Sequence, residues 1–283
     1  MISVPFTKVE SIGNDFVLIE PSALPNMSED VLRDFARVAC ERRFGIGSDG
    51  LLVAWPEDGR LKLRMFNPDG TEDFCGNGLR CAALYARTKG WLGDQFVIDH
   101  LHRSVPTQIF PSGCIRTEIG KASFKPQDVP LDECSGELFQ STLDLQDATL
   151  TVSAVTTGST HTVIFVDELP PDREFRRLSG ELEHHQIFPE RTSVIWTQVA
   201  GDDHLHIRIW ERGAGETLGC GTGSSAAAVV YMRKTGRGGN IVVTNPGGDV
   251  AVSAASWQDP VVVQSHARLL FEGAFLFTPK RPS

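Results

Sequence analysis

Two cysteines stand in the same short motif, once in each half of this 283-residue chain: Cys75-Gly76-Asn77-Gly78 and Cys220-Gly221-Thr222-Gly223. The flanking patterns repeat as well. Before Cys75 a strand-like segment ends at Phe66-Asn67 and the turn Pro68-Asp69-Gly70-Thr71 follows; after it Leu79, Ala82, Ala83 and Ala86 recur at i, i+3, i+4 and i+7. Before Cys220 a strand-like segment ends at Trp210-Glu211-Arg212 and the Gly-rich turn 213–217 follows; after it comes the Ala-rich run Ser224–Val230. Strand, turn, C-G-x-G and helix thus occur twice, which predicts a thiol at the start of a helix in each half.

A helix start leaves its first backbone N–H groups without intrahelical partners and carries a positive partial charge. That field lowers the pKa of a thiol and welcomes a carboxylate, while glycines let a ligand approach the backbone closely. Two such thiols suit proton transfer at carbon. One base takes the proton from one face, an acid on the other face returns one, and the roles exchange for the reverse reaction. N–H donors at both helix starts would stabilise the charge that builds on a bound carboxylate. No electron-sink cofactor is then required, provided the site closes and excludes water.

Blander readings stand beside this one. A lone cysteine is usually a small buried apolar residue, and Cys40, Cys81, Cys114 and Cys134 are read that way. Cys75 and Cys220 could instead form a reversible disulfide in a non-catalytic binding protein, which needs Cα atoms within ~7 Å. Neither glycine-rich loop ends in G-K-[ST], so a phosphate loop is not expected. CxxC pairs are absent, and no histidine has metal-ligand spacing with carboxylates, so no metal site is expected. His161 by itself reads as structural, His184-His185 and His204/His206 as surface or edge positions, and Gly13-Asn14-Asp15-Phe16 as a turn. Glu211-Arg212 by itself reads as a surface ion pair of little worth.

Elements must hold these motifs in place. Leu61–Asn67 and Leu205–Arg212 alternate with period two, putting Leu61, Leu63 and Met65, and Leu205, Ile207 and Ile209, on single faces of half-buried strands. Ile241–Thr244 and Val261–Gln264 read as short strands. Ser28–Cys40 reads as a helix capped by Ser28, with Val31, Leu32, Phe35, Val38 and Ala39 inward. A Pro-rich, acidic stretch over Lys125–Glu137 sets a domain boundary just before it, near Lys121. The chain is 41% hydrophobic and 22% charged, enough for a real core. Its net charge of −9, with no Lys/Arg run, argues against a nucleic-acid partner. The N-terminus shows no signal-peptide pattern and no apolar stretch reaches ~18 residues, so a cytoplasmic location without membrane contact is expected.

With these motifs in view, the chain resembles the diaminopimelate epimerase family over nearly its whole length. The resemblance is carried by Phe6–Phe16 (FTKVESIGNDF), Arg42–Leu52 (RRFGIGSDGLL), Phe66–Cys81 (FNPDGTEDFCGNGLRC), Pro189–Thr192 (PERT), Trp210–Ala227 (WERGAGETLGCGTGSSAA) and Asn245–Val252 (NPGGDVAV). It implies an α+β fold of two pseudo-symmetric domains, each a mixed sheet or barrel wrapped around a central helix. These would be 1–121 with 267–283, the tail returning to the first domain, and 122–266. It implies cofactor-independent interconversion of LL- and meso-diaminopimelate, a step of lysine biosynthesis, in the cleft between the domains of a homodimer. Cys75 and Cys220 would be the two bases, tuned by His161 and Glu211. Gly76-Asn77 and Gly221-Thr222 would supply backbone donors, Asn14 and Asn67 would contact substrate, and Glu211 and Arg212 would grip its far amino and carboxylate groups. Two positions depart from the family pattern: Ser159 and Ser193 stand where asparagines usually meet the distal end of the substrate. They open a second expectation, a racemase of another amino acid with a modified distal pocket. Arg212 pulls toward a substrate with a distal charged group, because its fork suits a carboxylate.

Overall fold

The computed structural model describes residues 1–24, 28–132 and 136–279. Its chain forms two compact units, Met1–Thr117 together with the C-terminal segment from Ser265, and Glu118–Gln264.

The first unit is one ladder of eight strands. β1 (Ile2–Ser11) pairs antiparallel with β2 (Asn14–Ile19), which runs parallel to β3 (Gly50–Glu57). β3 pairs antiparallel with β4 (Arg60–Phe66), and β4 runs parallel to β5 (Gln95–His100). β6 (Arg103–Ile109) and β7 (Ile115–Gly120) continue antiparallel, and the last strand of the chain, β17 (Arg268–Phe277), closes on the outer side of β1. Parallel neighbours need a crossover, and helices supply both: α1 (Glu29–Cys40) between β2 and β3, and α2 (Gly76–Thr88) between β4 and β5.

The second unit repeats this order. β8 (Ser141–Asp144), β9 (Thr149–Thr156) and β10 (Thr160–Val166) are antiparallel neighbours, β10 runs parallel to β11 (Ser193–Gly201), and β11 pairs antiparallel with β12 (His204–Glu211). β12 runs parallel to β14 (Gly239–Asn245), with β15 (Gly248–Ala254) and β16 (Val261–Ser265) following antiparallel. A short β13 (Gly215–Thr217) adds to β12. α3 (Asp172–Glu183) and α4 (Gly221–Thr235) are the crossovers.

Within each unit the two helices have different jobs. α2 packs on β1, β2, β3, β4, β6 and β17, and α4 on β9, β10, β11, β12, β14 and β15. Every residue of α4 from Gly221 to Met232 is buried, the signature of a helix enclosed on all sides rather than laid on a surface. The alanines explain how strands close around it, since small side chains let backbone approach. α1 and α3 are amphipathic and cover the other sheet face. Leu32, Phe35, Ala36 and Ala39 meet Val4, Val17, Leu51, Val53 and Phe277; Phe175, Leu178 and Leu182 meet Val152, Ile164, Val194 and Trp196.

The strand and helix expectations hold with small changes. Val38, expected inside, is 38% exposed, because α1 turns Cys40 inward instead. Cys114 is only half-buried, whereas Cys40 and Cys81 lie in the core; Cys134 falls outside the described residues. The turn expected at 13–16 is confined to Ile12-Gly13, and Asn14 already begins β2. α3 was not anticipated. No described helix is long and apolar enough to cross a membrane.

Phe35 joins α1 to the returning β17, its ring edge-on to Phe277 at 5.0 Å and to Phe275 at 6.2 Å. It is completely buried. Phe35→Ala should lower the unfolding free energy by about 3–5 kcal/mol in a urea titration, with Phe35→Leu costing less.

Candidate active site

Cys75 and Cys220 occupy the same place in the two units, the N-cap of the enclosed helix. Their backbones are extended, φ −131°, ψ 107° and φ −135°, ψ 112°, as a cap requires. Each sulfur accepts the amide N–H three residues on, from Gly78 and Gly223, at 3.3 Å in both units. The cysteine thus replaces the usual Ser, Thr, Asn or Asp cap, and the helix field acts directly on the sulfur. Cys220 is buried and Cys75 half-buried.

The second glycine of each motif is fixed by packing. A Cβ at Gly78 would lie 2.9 Å from Leu52 Cδ2 and 3.6 Å from Cys75 Sγ; at Gly223 it would lie 2.7 Å from Ile195 Cδ1 and 3.3 Å from Cys220 Sγ. The strand register matches too. Phe16 faces Gly50 across β2–β3, His161 faces Ser193 across β10–β11, and Leu52 and Ile195 lie two residues further on.

In the first unit the side chains near Cys75 form a relay. Asn77 Nδ2 donates to Asn14 Oδ1 at 3.1 Å, and Asn14 Nδ2 donates to Asp49 Oδ2 at 2.8 Å. The completely buried Arg80 donates from Nη2 to Asn77 Oδ1 and from Nε to Ser11 Oγ at 3.0 Å. Asp49 Oδ1 accepts from Arg42 at 2.6 Å, and Arg42 also holds Asp15 at 2.8 Å. Burial raises the Asp49 carboxyl above its ordinary range. Burial acts on Asp15 as well, but Lys8 and Arg42 outweigh it and keep that carboxyl low. Asn67 lies apart from the relay at the end of β4, its amide on Thr71 Oγ1 at 3.1 Å.

In the second unit hydroxyls and an imidazole take these places. Thr222 Oγ1 is 3.3 Å from Cys220 Sγ, 3.3 Å from His161 Nε2 and 3.2 Å from Ser159 Oγ. His161 Nε2 is 3.9 Å from Cys220 Sγ, and its Nδ1 lies 2.8 Å from the Ser159 carbonyl. A carbonyl only accepts, so Nδ1 carries the ring proton and Nε2 presents a lone pair to Cys220 and Thr222. Burial pushes the His161 pKa down to about 4, with Arg212 adding to the effect. Ser193 Oγ accepts the Arg212 backbone N–H at 3.1 Å, Arg212 Nη1 donates to the Glu190 carbonyl at 3.1 Å, and Glu211 Oε1 accepts from Thr217 at 2.5 Å.

The structure therefore brings Asn14, Cys75, Gly76 and Asn77 together in one unit, and Ser159, His161, Cys220, Gly221 and Thr222 together in the other, with Ser193, Glu211 and Arg212 joined through β11 and the end of β12. Sequence reasoning did not single out Arg80, Asp49, His100 or Asn245 as site residues, although three of them lie within quoted motifs. Following the internal repeat one strand further would have found the last two, which end equivalent strands. No cluster of three or more His, Cys, Asp or Glu side chains is placed to hold a metal ion among the described residues.

This fold is shared with solved structures of racemases, epimerases and phenazine-biosynthesis proteins. The chain superposes on a PhzF-family phenazine biosynthesis protein from Bacillus anthracis with a TM-score of 0.68, at 18% identity over 98% of this chain and 100% of that one. It superposes on a hydroxyproline epimerase from Agrobacterium vitis with a TM-score of 0.70, at 11% identity over 96% and 92% of the two chains. The chain belongs to the diaminopimelate epimerase family, whose model matches residues 6–125 and 153–267. It is 34% identical to the diaminopimelate epimerase of Moorella thermoacetica over 95% of this chain and 98% of that protein. It is accordingly an isomerase of the epimerase type.

Two histidines in these sites are held neutral: His161, and His100 beside Cys75, whose pKa burial also pushes down to about 4. The ordinary value is 6.5. As pH falls below 6.5 the unfolded chain takes up a proton at each that the folded chain refuses until about 4, so stability is full above 6.5 and is lost through this window. At pH 5 the loss is about 2 kcal/mol per histidine. Urea titrations between pH 7.5 and 4.5 should show it, and His161→Asn should remove about one proton from the slope.

Proposed function

We propose that this protein interconverts LL- and meso-diaminopimelate, with Cys75 and Cys220 as its acid/base pair and without a cofactor. The observation that carries this reading is the duplicated N-cap sulfur in a chain of the diaminopimelate epimerase family. In one direction a thiolate takes the α-proton, the C–H electron pair passes to the α-carbon and its carboxylate, and the other thiol gives its proton to the opposite face. The first sulfur ends as thiol and the second as thiolate, so the reverse reaction starts from the roles exchanged. Helix N-terminal amides at Gly76-Asn77 and Gly221-Thr222 would stabilise the negative charge on the carboxylate.

His161 supports this assignment. Its bare Nε2 accepts, so it favours Cys220 as a thiol hydrogen-bonded to nitrogen, ready to give its proton. Asn14, Asn67 and Asn77 would bind one end of the substrate, and Ser159, Ser193, Glu211 and Arg212 its far end, with Glu211 also tuning the nearby thiol. The reaction places the protein in lysine biosynthesis, in the cytoplasm. We further propose a homodimer, supported by β17, an edge strand that leaves Leu270, Phe271 and Leu276 exposed; a long apolar edge of this kind calls for a covering partner.

A second reading has its own observation. Ser159 Oγ and Ser193 Oγ are both engaged within the protein, on Thr222 and on the Arg212 amide, so neither reaches out as a longer asparagine amide would. This favours a racemase of an amino acid with a different far end. Incubation of the reduced protein with LL-diaminopimelate in D2O, followed by NMR, decides between them. The expected result is α-deuterium incorporation with formation of the meso isomer, and its loss by at least ~10³-fold in Cys75→Ala and Cys220→Ala. Turnover of another amino acid well above diaminopimelate would establish the second reading, and wild-type rates in either alanine variant would overturn the two-thiol mechanism.

A further inference from the structure

The two cysteines share a feature beyond the cap. Each backbone N–H is taken by a side-chain acceptor from the last residue of the strand that follows the enclosed helix. In the second unit Cys220 N–H donates to Asn245 Oδ1 at 3.3 Å. The same oxygen accepts Ser224 Oγ at 3.1 Å, and Asn245 Nδ2 donates to the Val243 carbonyl at 3.0 Å. In the first unit Cys75 N–H donates to His100 Nε2 at 3.2 Å. Asn245 ends β14 and His100 ends β5, the equivalent strand.

The protonation of His100 follows from its partners. The ring is completely buried, and Nδ1 lies 3.1 Å from the Leu63 carbonyl, which can only accept. Nδ1 therefore carries the proton of the neutral ring, and Nε2 is a bare lone pair aimed at Cys75 N–H. The ring stacks on Phe74 at 5.2 Å with planes 21° apart, and the Arg103 guanidinium lies 5.0 Å over Phe74. Arg103 opposes a charged imidazole, Glu72 and the Leu63 and Asp73 carbonyls favour one, and burial outweighs them.

We infer that His100 is a positioning residue for Cys75: its neutral Nε2 anchors the cysteine backbone and so fixes the aim of the thiol, the task that Asn245 performs for Cys220. Without an acceptor the peptide joining Phe74 to Cys75 loses its restraint at the point where the helix begins. The sulfur can then swing with the loosened backbone, and misplacement of a reacting group by about 1 Å costs on the order of 10²-fold in rate. His100 touches no reacting atom in this scheme. The inference rests on the reading of Cys75 as one of the two acid/base groups.

The molecule itself supplies the conservative replacement, the asparagine of its other half. The experiment compares His100→Asn and His100→Leu in the full chain, with His100→Met as the non-accepting variant should the leucine protein not fold. Epimerisation kinetics are measured beside the iodoacetamide alkylation rates of Cys75 and Cys220, resolved by mass spectrometry. The asparagine variant is expected within about threefold of the wild-type kcat, and the leucine variant about 10- to 100-fold lower with KM little changed. Alkylation of Cys75 should change severalfold in the leucine variant while that of Cys220 stays as in the wild type, an outcome that general destabilisation would not give. Wild-type kcat and Cys75 reactivity in the leucine variant, or an asparagine variant as impaired as the leucine one, would overturn the inference. Cys75→Ala, assayed alongside, keeps the two claims apart. Its retention of activity sinks the acid/base reading, while the alkylation rates still report whether His100 positions the thiol.

Discussion

A cysteine sulfur accepting the amide three residues on, at 3.3 Å in both units, sets the terms for the rest of each half. For the sulfur to cap, the cysteine backbone must be extended and the next residues must turn at once into helix. For the cap to hold a reactive group out of bulk water, the helix start must sit inside the sheet, so the helix must be small-sided and wrapped by strands. Gly78 and Gly223 follow from the same demand, because Leu52 and Ile195 from the neighbouring parallel strand fill the space a side chain would need. The parallel pairs β2–β3 and β10–β11 bring those residues over the cap, and α1 and α3 exist as the crossovers that parallel pairing requires.

Repetition of the frame makes its differences informative. The positions around the cap differ in kind between the two units. Where the first unit bonds Asn77 to Asn14, the second bonds Thr222 to Ser159. Where Phe16 stands opposite Gly50 in the first, His161 stands opposite Ser193 in the second and brings an imidazole nitrogen to 3.9 Å from the Cys220 sulfur. Where Asn245 holds the backbone of Cys220, His100 holds that of Cys75. The proposed acid/base pair, exchanging roles, would need two thiols of comparable strength, yet their neighbours need not match; each set would balance the same helix field against a different degree of burial.

Much of this was legible in the chain. The repeated C-G-x-G, with alternating apolar residues before it and helical spacing after it, located α2, α4, β4 and β12, because a buried face imposes a period the sequence must obey. α3 escaped notice since DREFRRLSGELE is mostly charged and shows its apolar stripe, Phe175, Leu178 and Leu182, only three times. Val38 shows the limit of spacing as evidence: its position is compatible with the inward stripe, but Ala39 and Cys40 take the buried face at that end of α1 and Val38 is left outside. Arg80 and Asp49 were quoted within motifs and given no role, because a relay across β1, β2, α2 and the loop before β3 is a tertiary fact. The same holds for His100, which a lone-histidine reading cannot separate from any other buried imidazole.

The two polar networks also differ in what they let a proton do. In the first unit the chain from Arg80 through Asn77 and Asn14 to Asp49 has a pure donor at one end and a carboxylate at the other. Every amide in it is thereby oriented, and reversing one would set N–H against N–H in a buried place, where an unmade bond costs about 1–3 kcal/mol. The price of that rigidity is a buried guanidinium, whose burial is offset by the bonds that Nη2 gives to Asn77 and Nε gives to Ser11. In the second unit Thr222 has one hydroxyl proton and three polar neighbours, Cys220 Sγ, His161 Nε2 and Ser159 Oγ, all within 3.3 Å. Rotation about a single bond redirects that proton from nitrogen to sulfur without moving any heavy atom. The first half thus presents a fixed set of dipoles to whatever charge develops beside Cys75. In the proposed mechanism the second can reorganise its hydrogen bonds as Cys220 passes between thiol and thiolate, which suits the more deeply buried of the two sulfurs, where water is not at hand to answer the change.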